Sequence, residues 1–127
     1  HAIFRFPNLY HMAMSIAPVV NERLYDTIYQ ERYMDLPEDN AKGYREGSPI
    51  TYARGLKGKL LLVHGTADDN VHYQNAEILV NELIRLNKQF DMMAYPNRTH
   101  SIREGKTSRR HLFGLLTRYL NRCLPVK

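Results

Sequence analysis

Residues 59–76 constrain the fold more than any other stretch, because an apolar run, a polar loop and an amphipathic helix follow one another there. The unbroken apolar run 60–63 is closed by a turn signal at Gly65, which is typical of a strand buried on both faces. An acidic and amide cluster at 68–70 follows, and a helical pattern of apolar residues begins near Tyr73. Ligands of open α/β sheets bind just beyond the carboxyl ends of the strands. We therefore predict that residues 68–70 lie at such an end.

The rest of the chain alternates between strand-like and helix-like patterns. Two further strands are predicted, at 13–17 and 90–95. Three further helices are predicted, at the residues before Pro7, at 21–34 and at 107–124. The last of these has an apolar stripe, which consists of Leu112, Leu115, Leu116, Tyr119, Leu120 and Cys123.

Glycine and proline concentrate between the first and second halves of the chain. Residues 35–58 are predicted to be mainly loop with one short helical turn, and residues 96–106 form a polar loop that carries His100. The order of elements predicts an α/β fold with about three mostly parallel strands and flanking helices. Because such sheets usually contain more strands, residues 1–127 are expected to be a partial domain, the C-terminal portion of a larger one.

Composition and charge exclude several kinds of site and partner for this chain. The single cysteine, Cys123, excludes an internal disulfide and a multi-cysteine metal site. No apolar run approaches the roughly 18 residues of a membrane span, so none is predicted in this chain. The net charge of +5 is concentrated late in the chain and is compatible with a nucleic-acid or acidic-lipid surface. Since no aromatic interleaving or nucleic-acid motif accompanies the charges, a solvated helix face is favoured and no nucleic-acid partner is predicted.

Asp68 and His100 form the pair that most directly suggests catalysis. Each follows a predicted strand, and the acid precedes the base, as in the chain order Ser, Asp, His of an α/β-hydrolase triad. A triad histidine takes a proton from a serine hydroxyl, while a carboxylate on its other ring nitrogen fixes the tautomer and stabilises the imidazolium. A pair of this kind also occurs by chance in proteins of this size.

Two segments carry a resemblance to a known family. Residues 64–72, His-Gly-Thr-Ala-Asp-Asp-Asn-Val-His, resemble the catalytic-aspartate segment of the dipeptidyl peptidase IV branch of the prolyl oligopeptidase family. Residues 17–19, Ala-Pro-Val, and the tyrosine-rich segment 25–34 also resemble that branch. The resemblance covers nearly the whole chain and implies an α/β-hydrolase fold.

The resemblance also implies roles for individual residues. Asp68 would be the triad acid, His100 the triad base, and Asn70 the amide that binds a substrate backbone carbonyl. The pocket for a proline ring would be lined by Tyr25, Tyr29, Val19 and Val71. Glu22 stands where the animal enzymes carry a tryptophan at the pocket edge, which is a departure from the family pattern. No cofactor is implied.

The nucleophile is missing from this sequence, since no G-x-S-x-G motif occurs in it. The elbow serine and the family's β-propeller are expected upstream of residue 1, and the chain alone is expected to be inactive. The resemblance implies that the parent is a serine exopeptidase that cleaves peptides after proline, and it favours a periplasmic, secreted or cell-surface location. Expected partners are a peptide substrate and the missing N-terminal part, and a homodimer with a second copy is a further expectation.

Other interpretations stay open at this point. The chain could be a non-catalytic α/β interaction domain, or part of a related α/β-hydrolase esterase or acyl-aminoacyl peptidase. His64 and His72 flank the acidic pair and suggest a metal, but they lack helical spacing and a clear third ligand, so no metal is predicted. Tyr25, Tyr29 and Tyr33 recur every four residues and could be core residues on one helix face instead of pocket residues.

Overall fold

A computed structural model describes residues 1–124, and its centre is a three-stranded parallel sheet. The strands are β1 (Met12–Ile16), β2 (Lys59–Gly65) and β3 (Asp91–Tyr95), in the order β1-β2-β3. Every pairing is parallel, so all three strands end at the same edge of the sheet. The predicted α/β fold with about three parallel strands is confirmed.

Within residues 1–124, five α-helices and two 3₁₀ segments surround the sheet. The α-helices are α1 (Ala2–Arg5), α2 (Thr27–Met34), α3 (Ala41–Gly47), α4 (Gln74–Arg85) and α5 (Ser108–Cys123). The 3₁₀ segments are Glu22–Leu24 and Pro49–Gly55. Among residues 1–124, no helix has the length and apolar character that crossing a lipid bilayer requires.

Strand β2 is buried on both faces, as its unbroken apolar sequence predicts. Leu60 and Leu62 pack on one face with α1 and α4. Leu61 and Val63 pack on the other face with the final helix and with Ile102 of the loop after β3. Alternate side chains of a strand point to opposite faces, so this one strand joins both halves of the core.

The two longest helices bury the apolar faces that their sequences predict. On α4, Ala76, Leu79 and Leu83 are buried. On α5, Leu112 and Tyr119 are buried, and Cys123 is partly buried against the same cluster. The predicted α5 stripe is wrong at one member, Leu120, which is exposed because it lies about 100° around the helix from the buried Tyr119.

The helix predicted over residues 21–34 is interrupted. A 3₁₀ turn ends before Tyr25, which has extended backbone angles, and α2 begins only at Thr27. The Asp26 side chain accepts a hydrogen bond from the Ile28 backbone N–H at 2.9 Å. Asn21 caps the 3₁₀ turn in the same way at Arg23. These side chains favour helix starts over helix interiors, so Tyr25 lies outside the helix that carries Tyr29.

Residues 35–58 contain more helix than the sequence suggests. Asn40 caps α3 by accepting a hydrogen bond from the Gly43 backbone N–H at 3.0 Å. Pro49 occupies the first turn of the following 3₁₀ segment, where its missing N–H is not needed. Proline and glycine therefore mark helix ends here instead of a continuous loop.

Candidate active site

Asp68 and His100 meet at the carboxyl edge of the sheet. Asp68 lies in the loop after β2, and His100 lies in the loop after the neighbouring strand β3. The two loops are joined by a hydrogen bond from the Ala67 backbone N–H to the Arg98 carbonyl, 3.1 Å long. Adjacent parallel strands thus place two residues that are 32 positions apart in one site.

The Asp68 carboxylate is buried and held by several donors. Its Oδ1 atom accepts hydrogen bonds from the backbone N–H groups of Asn70, at 3.0 Å, and Val71, at 2.9 Å. Its Oδ2 atom lies 3.0 Å from Nδ1 of His100. The Asp68 side chain has no exposed surface, whereas 44% of the His100 side chain is exposed. Charge-assisted hydrogen bonds of this kind stabilise a carboxylate that water does not reach.

This geometry fixes what the His100 ring can do. A carboxylate oxygen accepts the hydrogen of Nδ1, which leaves Nε2 of the neutral ring as a proton acceptor. The 3.0 Å between Asp68 Oδ2 and His100 Nδ1 is the length of a hydrogen bond. Chemically, the pair can remove a proton from a hydroxyl group and stabilise the imidazolium that results.

The His100 loop is anchored at two points that the sequence analysis missed. Ile102 is fully buried in the core beside β2, although its φ of 49° is unusual for a β-branched residue. The Glu104 carboxylate accepts hydrogen bonds from the backbone N–H and the hydroxyl of Thr99. The only sequence signal for the first anchor is a lone isoleucine inside a polar loop.

A cavity of about 330 Å³ opens beside His100, and several of the predicted site residues line it. Its walls include Tyr25, Asn70 and Ser101. The Tyr25 hydroxyl donates a hydrogen bond of 3.2 Å to Oδ1 of Asn70. This bond leaves the Asn70 amide N–H groups available to another acceptor.

Two of the predicted pocket residues, Val71 and Val19, do not line the cavity beside His100. Val71 is buried beneath the loop, and Val19 lines a separate cavity of about 450 Å³ together with Glu22. Burial holds the pKa of the Glu22 carboxyl above its ordinary value of 4.5, because the opposing effect of a hydrogen bond with Gln30 is smaller.

The tyrosine face is exposed in residues 1–124. Tyr29 is 57% exposed, and its ring meets that of Tyr25 edge-on with ring centres 5.6 Å apart. Tyr33 is more exposed still and meets Tyr29 in the same way. Within the described residues, these side chains form an aromatic surface beside the cavity and are not core residues.

The two histidines that flank the acidic pair do not converge. His64 is fully buried with Nε2 3.1 Å from Oδ2 of Asp68, whereas His72 is exposed and its Nδ1 accepts a hydrogen bond from the Gln74 backbone. Residues 1–124 contain no cluster of three or more His, Cys, Asp or Glu side chains suited to a metal ion. The contact between His64 and Asp68 was not predicted, although their four-residue separation across a strand end could have indicated it.

Known proteins are similar to this chain in sequence. The family model described as the prolyl oligopeptidase family matches residues 1–127. Dipeptidyl aminopeptidase A of Saccharomyces cerevisiae is 47% identical over 94 residues, which are 72% of this chain and 10% of that protein. Dipeptidyl peptidase 4 of Bos taurus is 35% identical over 121 residues, which are 93% of this chain and 16% of that protein.

A solved structure extends the likeness to three dimensions. The crystal structure of Porphyromonas gingivalis dipeptidyl peptidase 4 matches 97% of this chain with a TM-score of 0.93 and 38% identity. That match covers 17% of the other chain, so this chain spans a small part of the relatives' length. The α/β-hydrolase fold that the sequence predicted is confirmed by this superposition.

Proposed function

The chain belongs to the prolyl oligopeptidase family, and from this premise we propose that Asp68 and His100 are the acid and the base of a serine peptidase triad. The observation that carries the proposal is the 3.0 Å contact between Asp68 Oδ2 and His100 Nδ1 at the carboxyl edge of the sheet. A buried carboxylate beside a half-exposed imidazole is the arrangement that activates a serine hydroxyl.

In the proposed reaction, Nε2 of His100 removes the proton of a serine hydroxyl as the oxygen attacks the scissile carbonyl carbon. Asp68 keeps the hydrogen on Nδ1 and stabilises the imidazolium by its negative charge. The same proton then passes from Nε2 to the leaving amine as the C–N bond breaks, and His100 in turn deprotonates a water molecule that releases the acyl group from the serine. Because Asp68 is shielded from water, its interaction with the imidazolium is stronger than in an exposed pair.

The proposed substrate is a short peptide that is cleaved after proline. Tyr25 and Tyr29 would supply flat aromatic walls for the proline ring. The Asn70 amide, whose oxygen is occupied by Tyr25, would donate to a backbone carbonyl of the substrate. The family resemblance adds Val19 and Val71 to this pocket, although among residues 1–124 Val19 lines a separate cavity and Val71 is buried beneath the loop.

We further propose that residues 1–127 are the C-terminal portion of a larger hydrolase domain, and that the nucleophile comes from another part of the protein. Two serine hydroxyls of this chain donate to backbone carbonyls, Ser48 to Tyr44 and Ser108 to Glu104. Ser101 lines the His100 cavity but lies on a loop without the strand-to-helix turn that exposes a nucleophile.

Whether this chain contains the nucleophilic serine is tested on residues 1–127 alone. The chain is incubated with a serine-directed fluorophosphonate, and its mass is then measured. The expected result is no stoichiometric labelling. Labelling of Ser101 or any other serine of this chain would contradict the proposal. The full-length peptidase, labelled in parallel, is the positive control.

The triad assignment is tested with Asp68→Asn in the full-length peptidase. Asparagine keeps an oxygen for the two backbone N–H groups, but its amide N–H₂ forces the wrong tautomer on His100, so kcat should fall about 10⁴-fold. Asp39→Asn, in an exposed turn, is the control and should leave kcat unchanged. Turnover of Asp68→Asn within tenfold of the wild type would contradict the assignment. A folded full-length protein without any hydrolase activity would favour the non-catalytic interaction domain.

A further inference from the structure

We propose that His64 is a positioning residue that holds the Asp68 carboxylate in line with His100. The inference rests on the proposed function, since it concerns the same acid and base. It goes beyond them because His64 itself faces neither the cavity nor a substrate: its side chain is completely buried at the end of β2.

The contacts of His64 Nε2 link it to both sides of the Asp68 turn. This nitrogen lies 2.8 Å from the Val71 carbonyl oxygen and 3.1 Å from Asp68 Oδ2. The Val71 backbone N–H in turn donates to Asp68 Oδ1. His64 therefore fixes the turn from its far end and also contacts the carboxylate directly.

The proton on His64 follows from its partners. A carbonyl oxygen can only accept, so Nε2 must carry the hydrogen. The other nitrogen, Nδ1, is buried and has no hydrogen-bond partner among residues 1–124. A second hydrogen there would be an unpaired buried donor, which is costly. The geometry thus favours a neutral His64, whose Nε2–H group donates to the Val71 carbonyl beside the Asp68 carboxylate.

A neutral ring serves the proposed triad better than a charged one. Asp68 Oδ2 lies between two imidazoles, His64 at 3.1 Å and His100 at 3.0 Å. Because His64 is neutral, the full negative charge of the carboxylate remains available to His100 when the latter becomes an imidazolium. The ring of Tyr73 lies edge-on to His64, with centres 5.5 Å apart, and keeps its plane fixed.

Without His64, the carboxylate would keep its two backbone donors on Oδ1 but lose one of the two imidazole contacts of Oδ2. The Val71 carbonyl would also lose its partner. Small errors in the placement of a catalytic group lower the rate of the chemical step more than they weaken substrate binding. The expected signature is therefore a loss in kcat with little change in KM.

The test compares His64→Gln with His64→Asn in the full-length peptidase. A glutamine amide nitrogen reaches the position of Nε2, whereas the shorter asparagine reaches only that of Nδ1. His64→Asn should lower kcat per titrated active site by about 10- to 100-fold, since a catalytic group displaced by about 1 Å can cost roughly 100-fold in rate. His64→Gln should stay within about threefold of the wild type, and KM should change little in either variant.

Two measurements distinguish a role of His64 in positioning Asp68 from an effect of the substitutions on folding. Active sites are titrated with a fluorophosphonate, so that misfolded protein does not count, and Tm is recorded for each variant. His72→Gln, an exposed histidine of the same segment, is the matched control and should leave kcat unchanged. Equal kcat per titrated site in His64→Asn, His64→Gln and the wild type would overturn the inference, whatever their Tm values. If Asp68→Asn were also fully active, the proposed triad itself would fail.

Discussion

Gly65, the last residue of β2, lies directly beneath the Arg98 carbonyl of the His100 loop. A Cβ atom at Gly65 would overlap the Arg98 carbonyl oxygen and would also crowd that of Thr99. Ala67, two residues after Gly65, donates its backbone N–H to the same Arg98 carbonyl oxygen. The two loops therefore approach within backbone contact, and this close approach brings His100 to Asp68.

Gly65→Ala should separate the two loops and lower catalytic turnover. The added methyl group meets backbone atoms that cannot move without shifting residues 98 and 99, so the Asp68–His100 distance should lengthen. We expect a loss of about 1–3 kcal/mol in the free energy of unfolding, typical of overpacking, and at least a tenfold loss in kcat. Urea denaturation and steady-state kinetics measure the two effects.

Gly114→Ala is the control for that substitution. Gly114 lies inside α5, where a Cβ would meet only the flexible end of the Arg118 side chain. Alanine in a helix interior should stabilise by up to about 1 kcal/mol, and kcat should not change. Equal effects of the two substitutions would show that the contact between the loops is unimportant.

Ile102→Ala should destabilise the His100 loop specifically. Ile102 is fully buried between β2 and α5 and holds the loop to the core at a positive φ. Its truncation should reduce the free energy of unfolding by about 2–5 kcal/mol. Hydrogen exchange should become faster at residues 98–104. Ile84→Ala, on the exposed face of α4, is the matched control and should change both quantities little; comparable losses at the two positions would refute the anchor.

Tyr25→Phe should weaken substrate binding and leave the chemical step intact. The substitution removes only the hydroxyl that donates to Asn70 Oδ1, so the Asn70 amide becomes free to rotate. A hydrogen bond of this kind contributes about 0.5–1.5 kcal/mol, which corresponds to a roughly two- to tenfold higher KM for a proline peptide. Tyr33→Phe, farther along the same aromatic surface, should leave KM unchanged. A rise in KM for both variants would indicate a general surface effect instead.

Glu104 should make the stability of the His100 loop depend on pH. The hydrogen bond from Thr99 holds the pKa of the Glu104 carboxyl below its ordinary value of 4.5. A depressed folded-state pKa means that the ionised form stabilises the folded loop above pH 4.5, and that this contribution is lost as the pH falls through the folded-state value. The wild type should therefore have a higher Tm than Glu104→Gln at about pH 7, and the difference should shrink when the pH is lowered well below 4.5. Glu38→Gln should show no such difference at either pH, and a constant difference for Glu104→Gln would contradict the ionisation argument.

Several features were predictable because they depend on local patterns. The apolar run of β2, the stripes of α4 and α5, and the residue types that follow β2 and β3 are sufficient to predict a parallel sheet with Asp68 and His100 at one edge. The interruption of the predicted 21–34 helix at Tyr25 could have been predicted, because Asn21 and Asp26 are residue types that favour helix starts. The even spacing of the tyrosines outweighed that signal and predicted one continuous helix.

The sequence by itself therefore determined the three parallel strands, the long helices α4 and α5 and the family, and it singled out Asp68 and His100 as the candidate acid and base, since each depends on residues that are adjacent or regularly spaced. The tertiary structure decided which side chains share a surface. Only it brings Arg98 to Gly65 and Tyr25 to Asn70 across 45 positions, while it separates Val19 from the His100 cavity. The physical reason is that these contacts depend on the close approach of loops that are distant in sequence and on backbone angles such as the positive φ of Ile102, which no periodic pattern encodes.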